Sequence, residues 1–96
     1  FGLVGLESMS CGTPVLASDR GGLGEYIKDG INGFILSSLD PVLWAKKILE
    51  LWEFSRSKGW NKIVNEGYRT AEENSAEIKS KIIREIYYNL CKRWEI

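Results

Sequence analysis

The sequence predicts an α/β fold in which short parallel strands are flanked by helices and followed by a helical C-terminal segment. Eight of the ten glycines lie in residues 1–40, where short apolar runs alternate with turn signals. All four tryptophans lie in residues 41–96, where apolar residues recur at helical spacing. Strands that alternate with helices are typical of a parallel sheet with right-handed crossovers.

Residues 1–40 are predicted to form short elements, in this order: a helix over 3–11, a strand over 15–17, one helical turn over 25–28 and a second strand over 34–36. Gly12 is suited to end the first helix, because glycine is the usual residue just after a helix. The apolar run after Thr13-Pro14 is typical of a parallel strand buried on both faces. Asp29-Gly30 and Asn32-Gly33 are turn signals that precede the second strand.

Residues 41–96 are predicted to form three helices. Asp40-Pro41 is a strong helix start, because Asp caps the first turn and Pro suits the first helical position. Asn74 and Glu77 have capping-box spacing before the third helix. Trp52 and Trp60 fall on apolar faces and are expected in the core. The apolar residues that define the three faces are Ala45, Ile48, Leu49 and Trp52, then Trp60, Ile63, Val64, Tyr68 and Ala71, then Ile78, Ile82, Ile86 and Leu90.

Composition excludes several classes of function. The net charge is zero, which argues against a nucleic-acid partner. The chain has no His, so it cannot build a Ser-His-Asp or Cys-His arrangement, and its two cysteines, Cys11 and Cys91, are too few for a zinc site. Two distant cysteines are typical of reduced thiols, which predicts a cytoplasmic protein.

The zero charge hides an uneven distribution. Residues 1–40 carry two basic and five acidic residues, a net of −3, and residues 41–96 carry 11 basic and eight acidic residues, a net of +3. The first residue is Phe1 and not Met, and two short strands are too few for a self-sufficient sheet. We therefore expect the chain to be part of a longer polypeptide, with more of the sheet upstream.

The start of the first helix is the strongest candidate for a binding site. The first turn of a helix leaves backbone N–H groups unpaired and carries a partial positive charge, so it attracts anions. Gly2 would let a ligand approach the backbone. Glu7 lies one turn further on, and helical side chains lean back toward the N-terminus, so its carboxylate could accept two ribose hydroxyls. The alternative is that Glu7 is a solvated helix residue, although its apolar neighbours favour a crevice.

A second candidate stretch follows the first predicted strand. Ligands of open α/β sheets lie at the carboxyl ends of the strands, which makes Asp19, Gly21 and Gly22 candidate site-lining residues. A tight turn capped by Asp19 accounts for them equally well. The glycines of this stretch do not have the spacing of the dinucleotide-binding fingerprint.

Residues 1–36 together carry a specific signature, made of FGLVGLESMSCGTPVLAS at 1–18, Gly21-Gly22 with Glu25, and DGINGF at 29–34. The signature resembles the C-terminal, donor-binding domain of group 1 (family 4-like) glycosyltransferases, which are retaining enzymes of the GT-B architecture with two Rossmann-like domains. The resemblance is looser over residues 40–51. Over the last 45 residues it rests mainly on their helical pattern, since the family also ends in helices. It implies one partial domain over 1–96, with a donor-binding βα part over 1–40 and a helical part over 41–96.

The resemblance also implies roles for individual residues. Glu7 would be the second Glu of the family's Glu-x7-Glu motif and would bind the ribose of a nucleotide-sugar donor. The amides around Gly2, Leu3 and Val4 would hold the diphosphate, with Phe1 at the same site. The first Glu, an upstream basic pair and the N-terminal acceptor domain would lie outside this chain. No catalytic residue and no metal is expected on this chain. No cofactor is expected either, because the nucleoside-diphosphate sugar is a substrate.

The implied reaction is transfer of a sugar from a nucleoside diphosphate to an acceptor, with retention and without a metal. The implied partners are the donor and the N-terminal acceptor domain of the same full-length protein. Peripheral membrane association, if it occurs, would be through that domain. The isolated 96 residues are expected to be inactive.

Two alternatives stay open. A nucleotide-sugar epimerase or a phosphorylase of GT-B type would share the fold, although a phosphorylase would be expected to show a pyridoxal-binding Lys. A non-enzymatic interaction module would use helices 41–96 to dock a partner, since Trp is enriched at interfaces. The family's final helix packs on the N-terminal domain, so Tyr87, Tyr88 and Trp94 are expected to be exposed here.

Overall fold

The computed structural model describes residues 3–94, and the side chains of Glu77, Arg93 and Trp94 lie outside the described part. The elements follow in this order: α1 (Leu3–Ser10), β1 (Leu16–Ser18), a short 3-10 helix (Gly22–Glu25), β2 (Phe34–Leu36), α2 (Pro41–Phe54), α3 (Gly59–Glu73) and α4 (Ser75–Trp94). The mixed α/β class and the predicted order of elements are confirmed.

The two strands pair in parallel, with Leu16 opposite Phe34 and Ser18 opposite Leu36. The turn before β2 is fixed by Asp29, whose carboxylate accepts a hydrogen bond from the backbone N–H of Ile35 at 2.9 Å. β1 begins one residue later than predicted. The expectation of a strand buried on both faces is wrong, because only Ala17 of β1 is buried. The described elements do not cover both faces of so short a ladder.

Glycines end one element and begin another. Gly12 has φ 82° and closes α1 as predicted, while the N–H of Thr13 donates to the carbonyl of Ser8 at 3.0 Å. Gly21 has φ 88° and precedes the 3-10 helix. The predicted turn over 25–28 is therefore wrong by about three residues, since the positive φ of Gly21 starts the helical turn earlier.

The core forms where α1 packs against the 3-10 helix, α3 and α4. Leu6 and Met9 of α1 are fully buried. Gly67 of α3 lies against Met9 of α1, where an added Cβ would make an ordinary van der Waals contact of 3.5 Å with Cγ of Met9. Ile78 of α4 packs against the same cluster and is partly buried. α1 is thus held on several sides, which fixes the position of Glu7.

The prediction that Trp52 of α2 lies in the core is wrong. α2 contains no buried residue, and Trp52, Ile48 and Leu49 are each more than half exposed. Trp60 instead packs with its ring stacked on Phe34, with centroids 6.1 Å apart. The apolar spacing predicted the helix correctly, but none of the described residues covers this face of it.

The apolar face of α4 is also largely open. Ile82, Ile86 and Leu90, which mark the predicted third helix, are each about half exposed. Tyr87 and Tyr88 are 66% and 60% exposed, as predicted. The prediction for Trp94 falls on a side chain outside the described residues. Ile78 packs against the core and Lys81 contacts Glu7, so the first turns of α4 are anchored.

The predicted caps have different outcomes. Asp40 caps α2 as expected, since its Oδ1 accepts a hydrogen bond from the N–H of Val42 at 2.9 Å. The amide of Asn74 donates to the carbonyl of Thr70 at 2.8 Å and so helps to close α3. The capping box with Glu77 stays a prediction, because that side chain lies outside the described residues.

Candidate functional site

The first turn of α1 is oriented by the 3-10 helix that packs against it. A Cβ at Gly5 would overlap the Tyr26 hydroxyl and would lie 2.8 Å from Cδ2 of Leu23, so only glycine fits this contact without movement. Leu3 packs against the core, whereas the side chain of Val4 is 73% exposed. The candidate residues Phe1 and Gly2 lie outside the described residues.

Glu7 lies one turn into α1 and makes a tertiary ion pair with α4. Its Oε1 accepts a hydrogen bond from Nζ of Lys81 at 2.7 Å. The side chains are 42% exposed for Glu7 and 30% exposed for Lys81. Glu7 is therefore neither fully solvated nor buried in a closed crevice, and part of its carboxylate can still be reached by a ligand.

A cavity of about 610 Å³ opens between the start of α1 and α4. Small-molecule sites commonly have volumes of roughly 300–1,000 Å³, so this cavity is large enough for a nucleotide. It contains two cationic side chains, Lys81 and Arg84, and one carboxylate, Glu85. The residues that line it are Leu3, Lys81, Arg84, Glu85, Tyr88 and Asn89. Glu85 and Glu7, which pairs with Lys81 but does not itself line the cavity, balance the two cationic side chains. An anionic ligand would therefore depend on the helix start of α1 and not on net charge.

Two shifted pKa values accompany this geometry. The hydrogen bond that Lys81 donates to Glu7 raises the pKa of its ammonium above the ordinary value, and the negative charges of Glu7 and Glu85 add to the effect. Lys81 therefore stays charged at neutral pH. Burial raises the pKa of the Tyr26 hydroxyl, against the effect of a hydrogen bond with the Leu6 backbone. Tyr26 thus stays neutral where it meets α1.

The second candidate stretch lies at a different and much smaller cavity. Asp19 lines a space of about 90 Å³ at the carboxyl ends of β1 and β2, together with residues 37–39. This space is too small for a nucleotide. Gly21 and Gly22 follow Asp19 in the loop and are not among the residues that line it. The structure does not bring Asp19 and Glu7 to one cavity.

Lys81 is the site residue that the sequence reasoning missed. It lies 74 positions after Glu7, so no local pattern joins the two. One signal was present: Lys81, Arg84, Glu85 and Tyr88 follow the spacing of a single helical face that is not apolar. A polar face on an amphipathic helix indicates that the face contacts either solvent or a polar group. In this fold, Lys81 on that face contacts Glu7 of α1.

Residues 3–94 show neither a metal-binding cluster nor a membrane-spanning helix. No group of three or more Cys, Asp or Glu side chains in this part of the chain is arranged to hold a metal ion. None of the helices described is long and apolar enough to cross a bilayer.

The model of the family "Glycosyl transferases group 1" matches residues 1–70 of this chain. The chain belongs to this family. The match covers α1, both strands, α2 and most of α3, and so includes both candidate stretches of the site. Residues 71–96, which contain Lys81, lie beyond the matched part.

Individual relatives agree with the family. The chain is 46% identical to a D-inositol 3-phosphate glycosyltransferase of Salinispora tropica over 50% of this chain and 10% of that protein. It is 47% identical to the protein of that name from Thermobispora bispora over 53% of this chain and 12% of the relative. It is 38% identical to an uncharacterized glycosyltransferase of Methanocaldococcus jannaschii over 67% of this chain and 22% of the relative. The chain thus spans about a tenth to a fifth of these relatives' lengths.

Proposed function

We propose that this chain forms the donor-binding part of a glycosyltransferase that moves a sugar from a nucleoside diphosphate to an acceptor, with retention. The proposal rests on one observation. Leu3 at the start of α1 and Lys81, which pairs with Glu7, line the same cavity of nucleotide size. Membership of the group 1 family supports the reaction class. Relatives named for D-inositol 3-phosphate support glycosyl transfer, and the acceptor is left open here.

The proposed geometry places the donor's two polar parts on two successive turns of α1. The diphosphate accepts hydrogen bonds from the backbone N–H groups at the helix start, around Leu3 and Val4. One helical turn rises about 5.4 Å, so Glu7 lies at the right distance along the helix for the adjacent ribose. A carboxylate has about four acceptor positions and one is used by Lys81, so Glu7 can still accept both ribose hydroxyls.

The same geometry supports departure of the nucleoside diphosphate without a metal or other cofactor. As the bond to the sugar breaks, negative charge grows on the leaving diphosphate, and oriented N–H groups stabilise it at that moment. The α4 side of the cavity carries Arg84 with its neighbour Glu85, and Lys81, whose charge Glu7 balances. The catalytic groups that act on the sugar and the acceptor are proposed to lie outside this chain, so the 96 residues alone should transfer no sugar.

The proposed partner is the N-terminal acceptor domain of the same full-length protein. Tyr87 and Tyr88 on α4 are largely exposed and provide aromatic surface for that contact. We propose a cytoplasmic location because Cys11 and Cys91 are both free, exposed thiols. Any peripheral membrane contact is proposed to go through the acceptor domain.

The proposal is tested by replacing Glu7 in the complete gene product. Calorimetry would measure the Kd of UDP, GDP and ADP, each beside its 2′-deoxy counterpart. A hydrogen bond to a charged group contributes about 1.5–3 kcal/mol, so Glu7→Ala should weaken the best ribonucleotide roughly tenfold to a hundredfold. It should also abolish the preference for the ribonucleotide. Glu53→Ala, which removes an exposed carboxylate from α2, is the control. Unchanged affinity in the Glu7 variant would overturn the ribose role.

A further inference from the structure

We propose that Lys81 is a positioning residue for the donor site: it holds Oε1 of Glu7 and so fixes the carboxylate in the orientation that accepts the ribose hydroxyls. This inference rests on the proposed function, because it assumes that Glu7 binds ribose. It concerns a residue beyond the part of the chain that the family model matches.

The contact between Lys81 and Glu7 is unusual among the ion pairs of the described residues. Its N–O distance is 2.7 Å, whereas the pairs of Lys47 with Glu50 and Arg69 with Glu66 measure 3.9 and 3.7 Å. Those two pairs join residues three positions apart on one helix, whereas this one joins α1 to α4. Both of its side chains are also partly shielded from solvent, which reduces screening. It is therefore a specific tertiary contact.

A ribose diol is recognised best by a carboxylate whose plane is already fixed. A free Glu side chain samples several rotamers, and binding a ligand would have to restrict them. Lys81 restricts Glu7 before the ligand arrives. The position of Lys81 is itself restrained, because α4 packs on the core through Ile78, three residues earlier. Because the core restrains α4, the ion pair with Lys81 also restrains the Glu7 carboxylate.

Lys81 also corrects the charge of the site. An uncompensated carboxylate one turn from the helix start would repel an approaching diphosphate. The pair of Lys81 and Glu7 carries no net charge. The other charged residues of the cavity wall are Arg84 and its neighbour Glu85. Among the side chains that the structure describes, the charged groups beside Lys81 are Glu7 from α1 and Arg84 and Glu85 from its own helix.

Two other roles for Lys81 lead to different measurements. If its ammonium bound the phosphates directly, it would contribute equally to every diphosphate, with or without a ribose 2′-hydroxyl. If it blocked Glu7 and had to leave before binding, its removal would tighten binding. A positioning role predicts a loss that depends on the ribose hydroxyls.

The test compares Lys81→Met, Lys81→Arg and Glu7→Gln in the complete gene product. Calorimetry would give the Kd of UDP, GDP and ADP, of their 2′-deoxy counterparts and of pyrophosphate. For the best base, Lys81→Met should reduce the preference for the ribonucleotide about two- to fivefold, the range expected for one partly exposed ion pair. Pyrophosphate has no ribose, so its affinity should fall by a smaller factor than that of the ribonucleotide. Lys81→Arg should restore the preference, because arginine also donates to the carboxylate.

The control is Lys79→Met, which removes the same charge from an exposed position two residues away on α4 and should leave all Kd values unchanged. An unchanged preference in Lys81→Met would overturn the inference. Tighter binding of the ribonucleotide, or an equal loss for all three probe types, would also overturn it. If Glu7→Gln abolishes the preference and Lys81→Met does not, only the role of Lys81 fails. If Glu7→Gln has no effect, the proposed function itself fails.

Discussion

Asn32 offers a sharp test of how the strand crossover is attached to α3. The side chain is 4% exposed and makes three hydrogen bonds. Its Nδ2 donates to the carbonyl of Tyr26 and to Oγ1 of Thr70, each at 2.8 Å, and its Oδ1 accepts from the N–H of Lys28 at 2.7 Å. Asn32→Ala removes all three bonds and should loosen the crossover from α3.

The expected loss follows from these bonds. Each typical hydrogen bond contributes about 0.5–1.5 kcal/mol, so three contribute roughly 1.5–4.5 kcal/mol. The carbonyl of Tyr26 loses the bond from Asn32, which is part of this loss. Thr70 keeps its own donation to the carbonyl of Glu66 at 2.9 Å, which limits it. A destabilisation of about 3 kcal/mol is expected, a large part of the roughly 5–15 kcal/mol that a domain has.

The assay combines urea unfolding with hydrogen exchange in the complete gene product. Asn32→Ala should lower the free energy of unfolding and speed exchange in peptides that cover residues 26–36. Asn61→Ala, at an exposed position of α3, should change stability by no more than about 0.5 kcal/mol. Combining Asn32→Ala with Thr70→Val should cost less than the sum of the two. A loss below about 1 kcal/mol with unchanged exchange would refute the reasoning.

Two further predictions concern α1. Gly5→Ala should destabilise the protein by about 1–3 kcal/mol, because the new methyl group meets Tyr26 and Leu23, whereas Gly24→Ala, with open space around it, should change stability by less than about 1 kcal/mol. Equal effects in urea unfolding would contradict this packing. The Lys81 pKa is raised above 10.5 in the folded protein, so the ion pair stabilises at pH values below 10.5 and is lost as the pH rises through the higher folded value. An NMR titration should show Glu7→Gln returning that pKa toward its ordinary value, and identical titrations would refute the pairing.

Much of the local structure was predictable because it depends on a few consecutive residues. Gly12 ends α1, Asp40 caps α2 and the turn at 29–33 precedes β2, each with hydrogen bonds to backbone groups only a few positions away. The position of the 3-10 helix was missed by about three residues. The turn begins after Gly21, whose φ is 88°, and the sequence did not show that this glycine adopts a positive φ.

The sequence also placed Glu7 one turn after a helix start, since that spacing is a property of the helix alone. Only the tertiary structure decided what surrounds it. The spacing of Trp52 and its neighbours specifies an apolar face, but whether another element covers that face depends on the rest of the fold. Likewise, the contact of Lys81 with Glu7 spans 74 positions and exists because core packing holds α4 beside α1. Local hydrogen bonding is encoded residue by residue, whereas burial and charge pairing depend on which distant surfaces meet.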